Sequence, residues 1–280
     1  YFDRFIIDNG LQYVINSDIS DAEILSEFVA STLPTELTEA LRVFIRCVKK
    51  PLAVRSSSKL EDSYYQPFAG IYSTYMIPHT DNEDQELRLL SKAIKSVYAS
   101  VYFASSRAYI TATANVISEE KMAVILQEVV GTQYGDRFYP SISGVARSLN
   151  YYPIGDEKAE EGTVNLAMGL GKYIVDGGVN LRVCPAHPDK VLQTSEMEIA
   201  LRETQTQFYA LDMKHNYDAF KVDDGFNILK VSVRDAERDG SLQYIASTYD
   251  PYDMVIRDGI YDGGRKLITF CGVLQQGVFP

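Results

Sequence analysis

"PLAVRSSSKLEDSYYQPFAGIYSTYM", residues 51–76, decides how this chain is read. The apolar run from Pro51 to Val54 has the character of a buried strand. It ends in Arg55 and three serines, then crosses the acidic pair Glu61-Asp62 and a Phe-Ala-Gly step ending at Gly70 before a second strand-like run. A plain turn between strands takes about two to five residues. A longer connection with hydroxyls, a fixed cation and a glycine suits a loop that grips an anion. Arg55 offers a planar fork of donors, and the serines add hydroxyls and amides, a set matched to phosphate oxygens. The competing reading is a salt bridge from Arg55 to Glu61 or Asp62 in an ordinary loop. Gly70, at the entry to the second strand, either lets backbone approach a ligand closely or takes positive φ at a bulge.

Helices precede this stretch. In "SDISDAEILSEFVAS" the candidate caps are Ser17 and Asp18, with Ile24, Leu25 and Phe28 at helical spacing. In "LPTELTEALRVFIRCVKK" Thr35 is the expected cap, Leu37, Leu41, Phe44 and Val48 form the apolar stripe, and Lys49-Lys50 lie near the negative end of the dipole. A long helix is expected over 84–109, with Leu87, Leu90, Ile94, Val97, Tyr98 and Val101 on one face. The period then shortens. "KMAVILQEVV" (121–130) has the Val/Ile content of a buried strand, and "ISGVARSLNYY", "GTVNLAMGLG", "NILKVSV" and "DGGRKLITFCGV" give further strand signals. Helices, a strand–loop–strand, a long helix and then several strands imply an α+β fold rather than a regular βαβ alternation.

Composition narrows the function. Of 280 residues 46% are hydrophobic and 23% charged, and the net charge is -11. That balance is of a soluble globular protein. It excludes the basic footprint of a nucleic-acid binder and is repelled by an anionic membrane. No apolar run approaches the roughly 20 residues of a membrane span. Cys47, Cys184 and Cys271 are odd in number and lack metal-ligand spacing, so buried reduced thiols and a cytoplasmic location are expected. His79, His187 and His215 read as surface residues. The chain opens on Tyr1-Phe2-Asp3-Arg4 and closes on the apolar "LQQGVFP", and reads as a piece of a longer polypeptide.

Two further stretches carry chemistry. Gln127-Glu128-Val129-Val130 ends a strand and can offer main-chain groups to an adenine edge with a valine against the ring, or can simply reach solvent. "AMGLGKYIVDGG" (167–178) matches neither the Walker pattern nor G-x-G-x-x-G. It is a glycine-bracketed turn opening a short helix, with Lys172 where an anion can sit.

The stretches "LAVRSSSKLEDSYYQPFAGIYSTY", "AIKSVYASVYFASSRAYI", "MAVILQEVVG", "SGVARSLNYYP" and "GLGKYIVDGG", in that order, resemble the ATP-binding part of the phosphoenolpyruvate synthase and pyruvate phosphate dikinase family. The likeness covers about residues 1 to 190. It implies an ATP-grasp fold, two α+β subdomains around a nucleotide cleft, with bounds at 1–115 and 116–190 and an extension of unplaced role at 191–280. It implies transfer of a phosphoryl group from ATP to a histidine on a separate domain, on the way to phosphoenolpyruvate, with pyruvate bound by a third domain. ATP and magnesium are the implied cofactors. By the same resemblance Arg55, Ser56, Ser57 and Gly70 meet the phosphates, Gln127, Glu128 and Val130 read adenine, and Arg107 is either a nucleotide contact or a structural arginine.

The sequence departs from that pattern in two places. Lys172 stands where the family has a glutamate after Gly-Leu-Gly, and a lysine cannot hold magnesium. Asn165 and Glu161 are then the expected oxygen ligands, with Asp176 as an alternative. Arg147 follows Ser-Gly-Val-Ala where the family continues Phe-Thr. Arg55, Arg147 and Lys172 are thus the expected phosphate-neutralising, catalytic cations. The alternatives are a degenerate or ATP-sensing module of the same fold, and the ATP unit of a related dikinase with another acceptor.

Overall fold

Ser20 opens the first long helix: its hydroxyl accepts the Glu23 N–H at 3.3 Å, and the Glu23 carboxylate accepts the Ser20 N–H at 2.9 Å. This reciprocal capping box needs a Glu three residues after the cap, which Ser17 and Asp18 lack. The helix therefore starts later than those candidates would place it. The computed structural model describes residues 1–58, 61, 70–112, 120–214, 220–223 and 225–277. The amino-terminal helices are α1 (Phe2–Asp8), α2 (Gln12–Asn16), α3 (Asp21–Ala30) and α4 (Thr35–Cys47). Pro34, not Thr35, holds the cap position of α4, and its carbonyl accepts the Leu37 and Thr38 N–H groups at 3.0 Å.

Strands β1 (Leu52–Ser58) and β2 (Tyr75–Ile77) follow, then helices α5 (Glu83–Ser100) and α6 (Ala104–Ala112) and strand β3 (Met122–Glu128). The expected single helix over 84–109 is two. At the break Ser106 Oγ donates to Ser100 O at 2.7 Å and Arg107 Nε donates to Tyr102 O at 2.6 Å. Side chains thus satisfy the carbonyls that the interrupted ladder releases. Leu87, Leu90, Ile94, Val97, Tyr98 and Val101 are all buried, as their spacing predicts.

The remaining elements are β4 (Thr132–Tyr134), β5 (Arg137–Tyr139), β6 (Ser143–Arg147), β7 (Thr163–Ala167), α7 (Lys172–Val175), β8 (Leu181–Val183), α8 (Met197–Glu203) and β9 (Gln207–Asp212). After them come β10 (Ile228–Ser232), α9 (Val233–Arg238), β11 (Ala246–Asp250), β12 (Val255–Asp258), β13 (Arg265–Ile268) and α10 (Cys271–Leu274). The class is mixed α+β. Among the described residues every strand pair is antiparallel, in sheets ordered β2-β1-β3, β10-β9-β5-β4, β6-β7-β8 and β12-β11-β13.

The chain divides into one unit of Tyr1–Val129 with Met213–Asn227 and another of Val130–Asp212 with Ile228–Pro280. This differs from the 1–115, 116–190 and 191–280 partition. Strand β3 pairs with β1 along its whole length, which draws residues 122–128 into the first unit. Strand β9 pairs with β5, which draws the supposed extension into the second. Phe220 and Phe226 return to the first unit, with ring centroids 5.5 and 6.4 Å from Tyr75.

The core of the first unit is aromatic: Phe5, Phe28, Tyr98 and Tyr102 interlock, Phe28 lying 5.8 Å from Phe5 and 5.7 Å from Tyr102. The second unit packs Tyr139, Met168, Phe208, Ile245 and Phe270 together. Its Tyr139 hydroxyl, fully buried, donates to Asp239 Oδ2 at 2.7 Å.

Among the described residues no helix is long and apolar enough to cross a membrane. Cys184 and Cys271 are buried free thiols, but Cys47, on the solvent side of α4, is exposed, against expectation. His79 and His187 are not plain surface residues either. His79 Nδ1 lies 3.0 Å from the buried Glu86 carboxylate, and His187 Nε2 is shielded beside Glu161; His215 lies outside the described residues. Phe28→Ala empties a fully enclosed ring site and is expected to cost about 3–5 kcal/mol, read as a lower urea midpoint with an unchanged slope.

Candidate functional site

Residues directly opposite in an antiparallel ladder share a face, and successive residues alternate between faces. The β1–β3 register pairs Ala53 with Gln127, Arg55 with Ile125 and Ser57 with Ala123 on one face. Val54 with Leu126, Ser56 with Val124 and Ser58 with Met122 form the other. The second face carries Val54 and Met122 into the core. The first is open: Arg55, Ala123, Ile125 and Gln127 are exposed, Ile125 by 48%. The expectation of a buried β3 therefore holds for one face only: Met122 is buried and Val124 and Leu126 half-buried, while Ala123, Ile125 and Gln127 between them are exposed.

Arg55 Nη1 donates to Gln127 Oε1 at 3.1 Å. Two residues expected at the same ligand from distant parts of the sequence are thus side by side. Among the described residues no carboxylate lies within ion-pair distance of Arg55. The salt bridge to Glu61 is not formed, and Asp62 lies outside the described residues. A guanidinium, an amide and an aliphatic side chain on one open sheet face can bind an oxyanion next to a flat apolar group.

Glu61 is engaged elsewhere. Ser56 Oγ donates to Glu61 Oε1 at 2.7 Å, the Ser58 N–H donates to Glu61 Oε2 at 3.0 Å, and the Glu61 N–H donates to Ser58 Oγ at 3.2 Å. Ser56 is thereby separated from Arg55 by the thickness of the sheet, while Ser57 shares its face. Gln127 and Glu128 diverge in the same way: Glu128 lies opposite Leu52, its carboxylate 4.0 Å from Lys50 Nζ. The Val129 N–H donates to Pro51 O at 2.8 Å, and exposed Val130 begins the second unit. Gly70 has φ +81° and open space around it. Its backbone conformation alone requires glycine. It stands in a turn five residues before β2, not at the strand entry. Arg107 takes the structural alternative: its guanidinium donates to Tyr102 O at 2.6 Å, Ser17 O at 3.0 Å and Val14 O at 3.5 Å.

In the second unit the register sets Val145, Asn165 and Arg182 in one row across β6, β7 and β8, with Arg147 opposite Thr163. Arg147, Asn165 and Arg182 therefore share a face. Arg147 is exposed, and its side chain makes no hydrogen bond or ion pair with a described residue. Arg182 instead holds the β6–β7 connection in shape. Its two terminal nitrogens meet Glu157 Oε1 at 3.1 Å and Oε2 at 2.6 Å, and Nη2 also donates to Asn150 Oδ1 and Tyr152 O at 3.1 Å. The Arg182 guanidinium, with the Ile154 N–H and the Asn150 amide, holds the Glu157 carboxyl down to about 2.

Lys172 opens α7 behind a turn that only glycine can make. At Gly169, φ is +88° and an added Cβ would lie 2.6 Å from Tyr209 O. Lys172 Nζ lies 3.2 Å from Asp176 Oδ1, so its charge is balanced one turn along the chain. Asn165 Nδ2 donates to Asn180 Oδ1 at 2.8 Å. Glu161 Oε2 accepts the Lys158 N–H at 2.8 Å and lies 3.5 Å from His187 Nε2 and 3.7 Å from Cys184 Sγ. Magnesium asks for oxygen ligands at near-octahedral geometry. Asp176 faces a lysine, Glu161 a histidine, and among the described residues no group of three or more His, Cys, Asp or Glu side chains is placed to hold a metal ion. These residues do not fit a protein-built magnesium site.

The structure thus brings Arg55, Ser57 and Gln127 to one sheet face, and Arg147 and Asn165 to another. It sets Ser56, Glu128 and Arg107 apart from these. Sequence reasoning missed the separation of Ser56 from Arg55 and the structural placement of Glu61. The signals were present in period-two alternation and in the S-x-x-E spacing of Ser58 and Glu61.

Residues 1–237 match the family described as "Pyruvate phosphate dikinase, AMP/ATP-binding domain". The chain is 31% identical over 176 residues to the uncharacterized phosphotransferase YvkC of Bacillus subtilis, covering 63% of this chain and 19% of that protein. It is 28% identical over 208 residues to a phosphoenolpyruvate synthase of Aeropyrum pernix, covering 70% of this chain and 22% of the relative. A probable phosphoenolpyruvate synthase of Staphylothermus marinus is 29% identical over 187 residues, 59% of this chain and 20% of the relative. The chain spans about a fifth of the length of these relatives.

The Glu157–Arg182 pair makes stability depend on acid. Its carboxyl is depressed in the folded state, so its contribution is complete above the ordinary glutamate range and is lost as pH falls toward about 2. Glu157→Gln is expected to lower the urea midpoint at neutral pH and to flatten its decline between about pH 5 and about pH 2.

Proposed function

Because the chain belongs to the pyruvate phosphate dikinase AMP/ATP-binding domain family, we propose that it is the ATP-binding module of a phosphoenolpyruvate synthase-like phosphotransferase. In this reading it presents the terminal phosphate of ATP to a histidine on another domain of the parent protein, and pyruvate is the final acceptor. The names of two relatives support the acceptor.

The observation that carries the reading is the Arg55–Gln127 pair beside exposed Ile125 on an open sheet face. Phosphoryl transfer requires fixed cations and donors around the transferring group more than covalent chemistry from the protein. Arg55 is free of an acidic partner among the described residues, and its fork suits two phosphate oxygens at once. Within the first unit Ser57 is a neighbouring hydroxyl donor and Gln127 an adenine contact; Arg147, Lys172 and Val130 are the residues of this reading that belong to the second unit. A net charge of -11 makes such local cations necessary for holding a polyphosphate.

One observation favours a second reading, a module that binds or senses ATP without turning it over. Lys172 occupies the position of the family's glutamate and is neutralised by Asp176. A lysine held by an aspartate thus stands where a carboxylate would otherwise hold a metal.

Calorimetric titration with the non-hydrolysable analogue AMP-PNP tests the first reading. Arg55→Ala is expected to weaken binding by more than about 1.5 kcal/mol, roughly tenfold, and unchanged affinity would overturn it. Titration of Lys172→Glu with and without magnesium separates the two readings. Magnesium dependence gained by the variant and lacking in the parent supports the sensing module, and equal dependence in both supports the transferase.

A further inference from the structure

We infer that Glu61 is a positioning residue for the ligand face of β1, acting through Ser56 and Ser58 from the opposite side of the sheet. The inference rests on the nucleotide reading of Arg55 given above and assigns a task to a residue that does not itself meet the ligand.

The pleat dictates the arrangement. Arg55 and Ser57 point to the open face, and Ser56 and Ser58 point with Val54 toward the core. Arg55 is the fourth of the seven residues of β1, and on the core face the two that follow it, Ser56 and Ser58, offer no apolar packing to fix the end of the strand. Glu61 supplies the fixture. One carboxylate oxygen accepts the Ser56 hydroxyl at 2.7 Å and the other accepts the Ser58 N–H at 3.0 Å, while Ser58 Oγ accepts the Glu61 N–H at 3.2 Å. The Ser58–Glu61 half has the reciprocal donor–acceptor pattern of a capping box. Ser58 is 5% exposed, so the bonds to it form where water competes poorly.

The same contacts have an electrostatic consequence. Of the acids read in the sequence as rivals for Arg55, Glu61 is held by the serines and makes no ion pair with Arg55, whose bond goes to the neutral amide of Gln127. A charged partner would compete with an incoming anion; a neutral one orients the guanidinium without cancelling its charge. The two serines therefore act in the site by restraining a carboxylate, and the run Arg55-Ser56-Ser57-Ser58 divides residue by residue between contact and restraint.

The test compares AMP-PNP affinity of the wild-type chain, Arg55→Ala, Glu61→Ala, Glu61→Gln, Ser56→Ala and the Glu61→Ala/Ser56→Ala double variant, each with its urea midpoint. Glu61→Ala is expected to lose at least about fivefold in affinity. Glu61→Gln keeps an acceptor and a donor at the clamp and is expected within about twofold of wild type. The double variant is expected to lose no more than Glu61→Ala alone, since both changes open one clamp. Wild-type affinity in Glu61→Ala alongside weakened binding in Arg55→Ala overturns the positioning role and leaves the nucleotide reading standing. Wild-type affinity in Arg55→Ala removes the nucleotide reading itself. Equal losses in Glu61→Ala and Glu61→Gln also overturn the role, because the charge and not the clamp would then matter. Should Glu61→Ala not fold, Ser56→Ala decides: undiminished affinity overturns the proposal and a loss of at least about threefold supports it.

Discussion

Seven residues of β1 face seven of β3, from Leu52 opposite Glu128 to Ser58 opposite Met122, and the alternation of that ladder governs the candidate site. On one side of the pair Val54, Ser58 and Met122 are buried, and on the other Arg55, Ala123, Ile125 and Gln127 are open to solvent. A side chain in this stretch has no intermediate choice. A shift of register by one residue would exchange the faces and drive Arg55 into the core and Val54 into water, at the cost of burying an unpaired guanidinium. Burial of Leu52, Val54 and Met122 thus fixes where the cation stands.

Charge is organised on the same principle of restraint. The chain carries an excess of acids, and its carboxylates near candidate ligand residues have nearby partners: Glu61 with two serines, Asp176 with Lys172, Glu157 with Arg182 and Glu161 beside His187. Arg55 and Arg147 are left without acidic partners among the described residues. Exposed ion pairs contribute little to stability. Their arrangement matters more for where positive potential survives in an otherwise anionic molecule.

Much of the architecture was legible in the sequence. The apolar stripe of α5, the strand at 122–128 and the glycine-bracketed turn before α7 follow from periodicity and from turn chemistry. The order of motifs carried the family assignment. Less legible were events that depend on partners distant along the chain. The break after Ser100 depends on Ser106 and Arg107 catching freed carbonyls, and the return of Phe220 and Phe226 to the first unit depends on contact with Tyr75. In the site, composition marked Arg55, Ser56 and Ser57 as one cluster, and the pleat separates Ser56 from the other two.

By itself the sequence determined residue chemistry and local period: a guanidinium beside hydroxyls, a strand at each end of a long connection, and a lysine in place of a family carboxylate. Tertiary structure alone decided which of those groups meet. Pairing of β1 with β3 brings Gln127 to Arg55 across 72 positions of sequence, and closure of the clamp turns Glu61 from a rival of that arginine into a brace for the strand that bears it. The physical reason is that local propensity acts within a few residues, whereas the face on which a side chain lies and the acid it meets are set by hydrogen-bonded register and by the burial of apolar neighbours far away in the chain.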